Sequence, residues 1–271
     1  MKKIATSLLV TAAIAALAVS AASAAPLFVE NFNYSTPSGL VGQGGWASHS
    51  GTGTNAQTVN AGNLSYAGYP SSGVGALLGP IAATGEDTNH GFTGVTTGAG
   101  YISALVNVTA STTTGDYFLH FCDGLITSNL FLGRLFVKKD ASSTNYAFGI
   151  QFGSTVATVY TPFSYAPGTT HLVVIKYSFN PGAQNDVVSL FVDPAINCNE
   201  PAATVSHANP GGTQNDGTNL DFVCIRQGGS TSGANVQIDG IRVADNWIDA
   251  TCDPATPTST STWGKVKVLY R

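Results

Sequence analysis

Charge is what this chain has least of. Asp, Glu, Lys and Arg make up 10% of its 271 residues, against about 25% in an average globular protein. Fifteen acidic and eleven basic residues give a formal net charge of −4. That leaves no concentrated positive patch for nucleic acid or an anionic membrane, so neither is expected as a partner. Glutamate is scarcer still: Glu30, Glu86 and Glu200 are all there is, and none has another acid two residues away. A strand needs that spacing to present two carboxylates on one face for glycoside hydrolysis. Glu86 and Asp87, being adjacent, point to opposite sides of any strand. A Gly-x-Ser-x-Gly elbow, His-Glu-x-x-His and a phosphate-cradling Gly-x-x-x-x-Gly-Lys are also missing, which removes the commonest hydrolase, zinc-protease and nucleotide signatures. Gly73-Val-Gly75 with Gly79 lacks the spacing and the following helix of a nucleotide loop, and reads as a turn. The five histidines never pair at metal-ligand spacing, no Cys-x-x-Cys occurs, and no stretch beyond residue 25 has a helical period.

The first 25 residues have another character. Lys2 and Lys3 precede an apolar run from Ile4 to Val19, and Ala22-Ser23-Ala24 supplies small residues. This is the pattern of a secretory signal peptide, removed near Ala24 or Ala25. The run is too short and too interrupted by Thr and Ser for a spanning helix, which needs about 20 apolar residues, so no transmembrane segment is expected after its removal. The expected location is outside the cytoplasm, secreted or on the cell surface. Disulfides are permitted there. Cys122, Cys198, Cys224 and Cys252 allow three connectivities. We favour Cys198 with Cys252, both in Pro/Asn-rich irregular segments, and Cys122 with Cys224, both inside predicted strands.

What is abundant is β signal. Runs with two-residue alternation, broken by Gly, Pro, Asn or Asp, predict strands near residues 27–34, 57–66, 101–109, 116–122, 131–138, 146–152, 157–161, 171–179, 187–192, 221–227 and 236–243. So many strands exceed one comfortable open sheet, and the expected fold is all-β, a two-sheet antiparallel β-sandwich over residues 26–250. In Val236-Gln-Ile-Asp-Gly-Ile-Arg-Val243 the apolar register changes at Gly240, as a bulge at Asp239-Gly240 would allow. Residues 251–262 are rich in Pro, Thr and Ser, a linker composition. They lead to a basic and apolar tail, Trp263 to Arg271, that reads either as a terminal strand or as a sorting tag similar to tails on other bacterial secreted proteins.

Four segments carry a family resemblance: Leu27-Phe-Val-Glu-Asn-Phe-Asn-Tyr34, Gly42-Gln-Gly-Gly-Trp46, the hairpin from Thr170 to Pro194, and Val236 to Val243. Together they resemble the concanavalin-A-like lectin/glucanase domain, a laminin-G-like jelly roll of bacterial secreted proteins. The resemblance implies pairing of the first and last strands, with Glu30 and Asp239 at the joined ends. It also implies a structural role for His171, ahead of the central strand.

Fold analogy alone does not assign a function, so the candidates come from residue chemistry. Sugars need aromatic planes beside hydrogen-bonding groups. Trp46, Tyr66, Tyr69, Tyr101 and Tyr117 offer planes, and Arg134, Tyr146, Gln151, Arg226 and Gln227 join them if their strands form the concave sheet. Calcium needs only oxygen ligands, and Glu30 with Asp239, or the loop Asn215 to Asp221, offers them. The leading expectation is a non-catalytic lectin-like module binding a polysaccharide or cell-surface glycan. The alternative is a structural or adhesive sandwich without a sugar site, and a polysaccharide hydrolase or lyase is third.

Overall fold

The computed structural model describes residues 25–70, 75–79, 85–124, 130–209 and 214–252. The leader, nearly all of the linker and the tail therefore lie outside the described residues. The strands are β1 (Phe28–Glu30), β2 (Ser38–Gly39), β3 (Ala47–Ser50), β4 (Thr58–Ala61), β5 (Gly75–Gly79), β6 (Asp87–Val95), β7 (Ala99–Ala110) and β8 (Asp116–Asp123). They continue with β9 (Phe131–Lys139), β10 (Tyr146–Gln151), β11 (Val159–Tyr160), β12 (Thr170–Ser178), β13 (Val187–Val192), β14 (Val205–Ala208), β15 (Leu220–Ile225) and β16 (Asn235–Ala244), followed by a short helix α1 (Trp247–Thr251).

The strands form two antiparallel sheets, as expected. The nine-stranded sheet runs β14-β13-β12-β7-β16-β5-β4-β2 with β1 also on β16, and the seven-stranded sheet runs β11-β10-β9-β8-β15-β6-β3. β12 and β13 are the hairpin read from the sequence, in register from Val173↔Val192 to Ser178↔Val187. First and last strands do pair, Phe28 with Val243 and Glu30 with Ile241.

The change of apolar register in β16 has the anticipated cause. Its ladder with β7 slips between Asp239 and Arg242, and Gly240 there takes φ +56°, a left-handed conformation cheap only for glycine. The extra residue lets Val236 and Ile238 before the bulge, and Ile241 and Val243 after it, all enter the same core. β5 pairs with the first half of β16 and β1 with the second, so the bulge also divides one strand edge between two partners.

Alternation sends Ile102, Val106, Val173 and Ile175 from one sheet, and Leu135, Val137, Phe148 and Ile150 from the other, into the interior. The nine-stranded sheet is apolar on its outer side too. Leu105, Leu172, Val174 and Phe191 pack there under Trp247 and Ala250 of α1 and under Leu64 and Tyr69. Asn246 caps α1, its side chain accepting the Asp249 N–H. Among the described residues no helix or strand lies over the outer face of the seven-stranded sheet.

Cys198 and Cys252 are joined, with their Cα atoms 5.8 Å apart. Thr251 and Cys252 are buried, so packing runs past the expected boundary at residue 250. The Cys122–Cys224 pairing is corrected: both are free, buried thiols. They sit on neighbouring strands, but the register sets Cys122 opposite Phe222 and Cys224 opposite His120. Their thiols lie beside each other within hydrogen-bond reach, which adds to burial in pushing the Cys224 thiol up, and no disulfide joins them.

Candidate functional site

Three adjacent strands of the seven-stranded sheet place a cation–aromatic cluster on its uncovered face. β9 contributes Arg134, β8 contributes Tyr117, and Arg226 follows directly on β15, its N–H bonded to the Phe118 carbonyl at 2.8 Å. The Arg134 guanidinium lies 3.7 Å from the Tyr117 ring centroid and that of Arg226 4.4 Å from it. Arginine stacks well on such a ring because its charge is spread over a plane and weakly hydrated.

The two guanidiniums have different partners. Arg226 pairs with Asp116 at 2.8 Å, and Asp116 also accepts from Ser232 and from the Tyr117 N–H. Arg134 donates through Nη1 to Gln151 Oε1 at 2.8 Å, across a directly opposed pair of the β9–β10 ladder. Gln151 is held in turn by the bond from its Nε2 to the Val156 carbonyl, 2.7 Å. Arg134 Nε is buried with no partner among the described residues, and no carboxylate among them pairs with this guanidinium. Of its terminal nitrogens only Nη1 has a partner among the described residues, and a guanidinium with a terminal donor to spare suits a planar anionic group.

Rings continue on both sides of Tyr117. Phe136 lies 5.5 Å from it and 6.5 Å from Tyr160, which has Lys138 over its ring at 5.5 Å. In the other direction His120 is 5.3 Å from Tyr117 and 4.6 Å from Phe131, and His49 follows at 5.9 Å from Phe131. His120 is fully buried. Its Nδ1 bonds the Phe121 carbonyl at 3.0 Å, so Nδ1 carries the proton and Nε2 is a lone pair without a partner among the described residues. Burial, with smaller contributions from Arg134, His49 and Arg226, pushes its pKa down to about 3.

The carboxylates near this face are engaged. Asp87 accepts the Gln227 N–H and the Ser50 hydroxyl, while Asp116 is taken up as above. None of the three glutamates joins them: Glu30 binds Trp46, Glu86 accepts the Gly53 N–H, and Glu200 pairs with Lys176.

Of the expected sugar-site residues the structure brings together Tyr117, Arg134, Gln151 and Arg226. Trp46 is corrected: it is 2% exposed, stacks on Phe32, and donates from Nε1 to Glu30. Tyr146 is also corrected, and parity is the reason. It stands five residues before Gln151 on one strand, an odd separation that sends it to the opposite face, where it is fully buried in the core. Gln227 lies past the end of β15 and braces a loop, with Nε2 on the Asn55 carbonyl at 2.8 Å. Tyr69 and Tyr101 are buried over the other sheet with Tyr66 beside them. The sequence reading overlooked His120, Phe131, Phe136 and Tyr160. Arg134, Phe136 and Lys138 alternate along β9, and that was the available signal.

The proposed calcium pair is split: Glu30 ends β1 opposite Ile241, Asp239 sits at the β16 bulge beside Leu64, and the oxygens of both are engaged. Glu30 accepts from the Phe32 N–H, the Tyr34 hydroxyl and the Trp46 indole at 2.6 to 2.8 Å. Asp239 accepts from the Leu64 and Gly240 N–H groups at 2.9 and 2.7 Å. Burial first, and the Glu30 charge among the lesser causes, pushes the Asp239 pKa up to about 6. In the 215–221 loop Asp216 similarly accepts from Asn185 N–H and Asn209. Among the described residues no cluster of three or more His, Cys, Asp or Glu side chains could hold a metal ion. His171 is structural in form, its Nδ1 bonded to Asp193 at 2.7 Å. Among the described residues no helix is long and apolar enough to cross a membrane.

No family model matches the chain, and neither does any curated protein. Solved structures similar to it include an endo-1,3-beta-glucanase from Streptomyces sioyaensis, 12% identical with a TM-score of 0.48, covering 81% of this chain and 95% of that one. The cellulose induced protein Cip1 is 13% identical, with a TM-score of 0.48 and coverage of 81% and 97%. An alginate lyase from Alteromonas sp. 272 is 10% identical, with a TM-score of 0.38 and coverage of 62% and 86%. At such identities no residue's role passes from those proteins to this chain. What the structure itself gives is an all-β chain of two antiparallel sheets, as its sequence led us to expect.

Proposed function

We propose that this is an exported glycan-binding module whose ligand lies on the outer face of the seven-stranded sheet and carries carboxylate or sulfate groups. The observation that supports this most is the Arg134 guanidinium, stacked on Tyr117 and bonded to an amide, with no carboxylate partner among the described residues. In a chain so poor in charge, two arginines and Lys138 gather on one face. Half-buried Phe131 and Tyr160 offer ring surface to sugar C–H faces. The Cys198–Cys252 bond supports export, since such bonds persist in oxidising compartments.

One observation favours a second reading, a scaffold without a sugar site. Tyr117 is only 9% exposed, so the middle of the face is filled by its own side chains. Affinity electrophoresis of the protein through gels containing polygalacturonate, alginate, dextran or starch separates the two. Retardation by an acidic polymer, abolished in Arg134→Ala, is the expected result. Equal mobility in all gels would overturn the glycan reading in favour of the scaffold.

A further inference from the structure

A second concavity lies at one end of the sandwich. The β6–β7 turn, the tip of the β12–β13 hairpin and the segment leading into β15 enclose a cleft of about 800 Å³, within the range that small ligands occupy. Its walls come from residues 96–98, 179–186 and 215–218, none of which belongs to the Tyr117 face. Phe179 and Pro181 give it an apolar wall, and Thr97, Gln184 and Asn215 line it with hydroxyl and amide groups. Among the described lining residues there is no Lys, Arg or His.

Hydrogen bonds brace the floor, those of Tyr177 being buried. Tyr177 donates to Asp186 Oδ2 and accepts the Gly217 N–H, both at 2.6 Å. The other Asp186 oxygen takes the Asn180 N–H at 2.6 Å. Asp216 accepts from the Asn185 N–H at 3.0 Å and from Asn209 at 2.8 Å. One tyrosine and two carboxylates thus tie the hairpin tip to the 215–218 segment, so the cleft is formed in advance of any ligand.

We infer that this cleft binds a neutral, hydroxyl-rich sugar unit. An apolar wall suits the C–H face of a pyranose, and amides and hydroxyls suit its rim. The rim amides and hydroxyls remain to bond a neutral sugar, whereas an acidic one would meet negative charge with no cation among the described lining residues to offset it. An ammonium group gains little, because both carboxylates are already engaged by N–H and O–H donors.

The test is an amide-resolved NMR titration of the full chain with cellobiose, lactose and maltose, and separately with digalacturonate and glucosamine. At least one neutral disaccharide is expected to shift the Gly98, Gly182 and Gly217 amides saturably. Digalacturonate and glucosamine should act there at least tenfold more weakly. Ala183→Trp, at an exposed position on the cleft wall, should weaken the effect at least tenfold, and Arg134→Ala should leave it unchanged. The assignment is overturned if no neutral disaccharide shifts these amides, if the tryptophan variant responds like the parent, or if either charged sugar binds as tightly. Loss of acidic-polymer binding with these shifts intact would sink only the outer-face reading.

Discussion

Arg134 and Gln151 stand directly opposite each other on β9 and β10, and the guanidinium donates to the amide oxygen at 2.8 Å while stacking on Tyr117. The pair therefore fixes the plane of the charge as well as its position. Arg134→Lys keeps the charge and loses both the fork and the stacking surface. Isothermal titration with an acidic oligosaccharide should show about tenfold weaker binding, close to 1.4 kcal/mol. Parent-like affinity would mean that net charge alone matters.

His120 makes stability fall in acid. Its folded pKa of about 3 lies below the unfolded value near 6.5, so the unfolded chain binds more protons between those limits. Stability from this group is complete above pH 6.5 and is lost as pH falls toward 3. From pH 7 to pH 5 this group's share of the loss should be about 2 kcal/mol, read in urea unfolding as the difference between the parent and His120→Gln. Equal losses in both proteins would show that the imidazole takes up its proton without unfolding.

Asp239 acts in the opposite direction. Its folded pKa of about 6 exceeds the ordinary 3.8, so the folded state binds the extra proton in that interval. The cost of the buried charge is present in full above pH 6 and is relieved as pH falls toward 3.8. Asp239→Asn should remove this contribution, making the variant's stability fall more steeply than the parent's between pH 6 and pH 4. The check is thermal unfolding of both proteins across that range.

Cys122 and Cys224 are completely buried thiols. A thiol reagent should find neither in the native protein and both after unfolding without reductant. Cys198→Ser opens a link across 54 residues, and a loop of that length corresponds to about 4 kcal/mol in the chain-entropy account. A loss below about 1 kcal/mol in chemical unfolding would contradict that account here.

The fold was legible where strands alternate and pack on one side. β7, β12, β13 and the bulged β16 follow from their apolar spacing, because burial of one face imposes the two-residue period. β6 was not legible: Asp87-Thr-Asn-His-Gly-Phe-Thr-Gly-Val95 looks like a loop, yet it lies between β15 and β3 and is held by ladder bonds on both sides. α1 is too short to show a helical period. In the site, Arg134 and Gln151 could be read from alternation, whereas Tyr146 falls on the other face of its strand because an odd number of residues separates it from Gln151. Trp46 looked like a sugar platform by residue type alone. Only the three-dimensional meeting with Phe32 and Glu30 reveals it as core.

The Cys198–Cys252 bond also has a mechanical meaning. Cys252 ends the described helix, and its covalent partner lies in the connection between β13 and β14. Tension applied to the chain beyond Cys252 therefore enters the sandwich at Cys198 as well as along α1. The load divides between opposite margins of the ladder formed by β13, β12, β7 and β16. Unzipping β16 from its free end would require that covalent route to give way first.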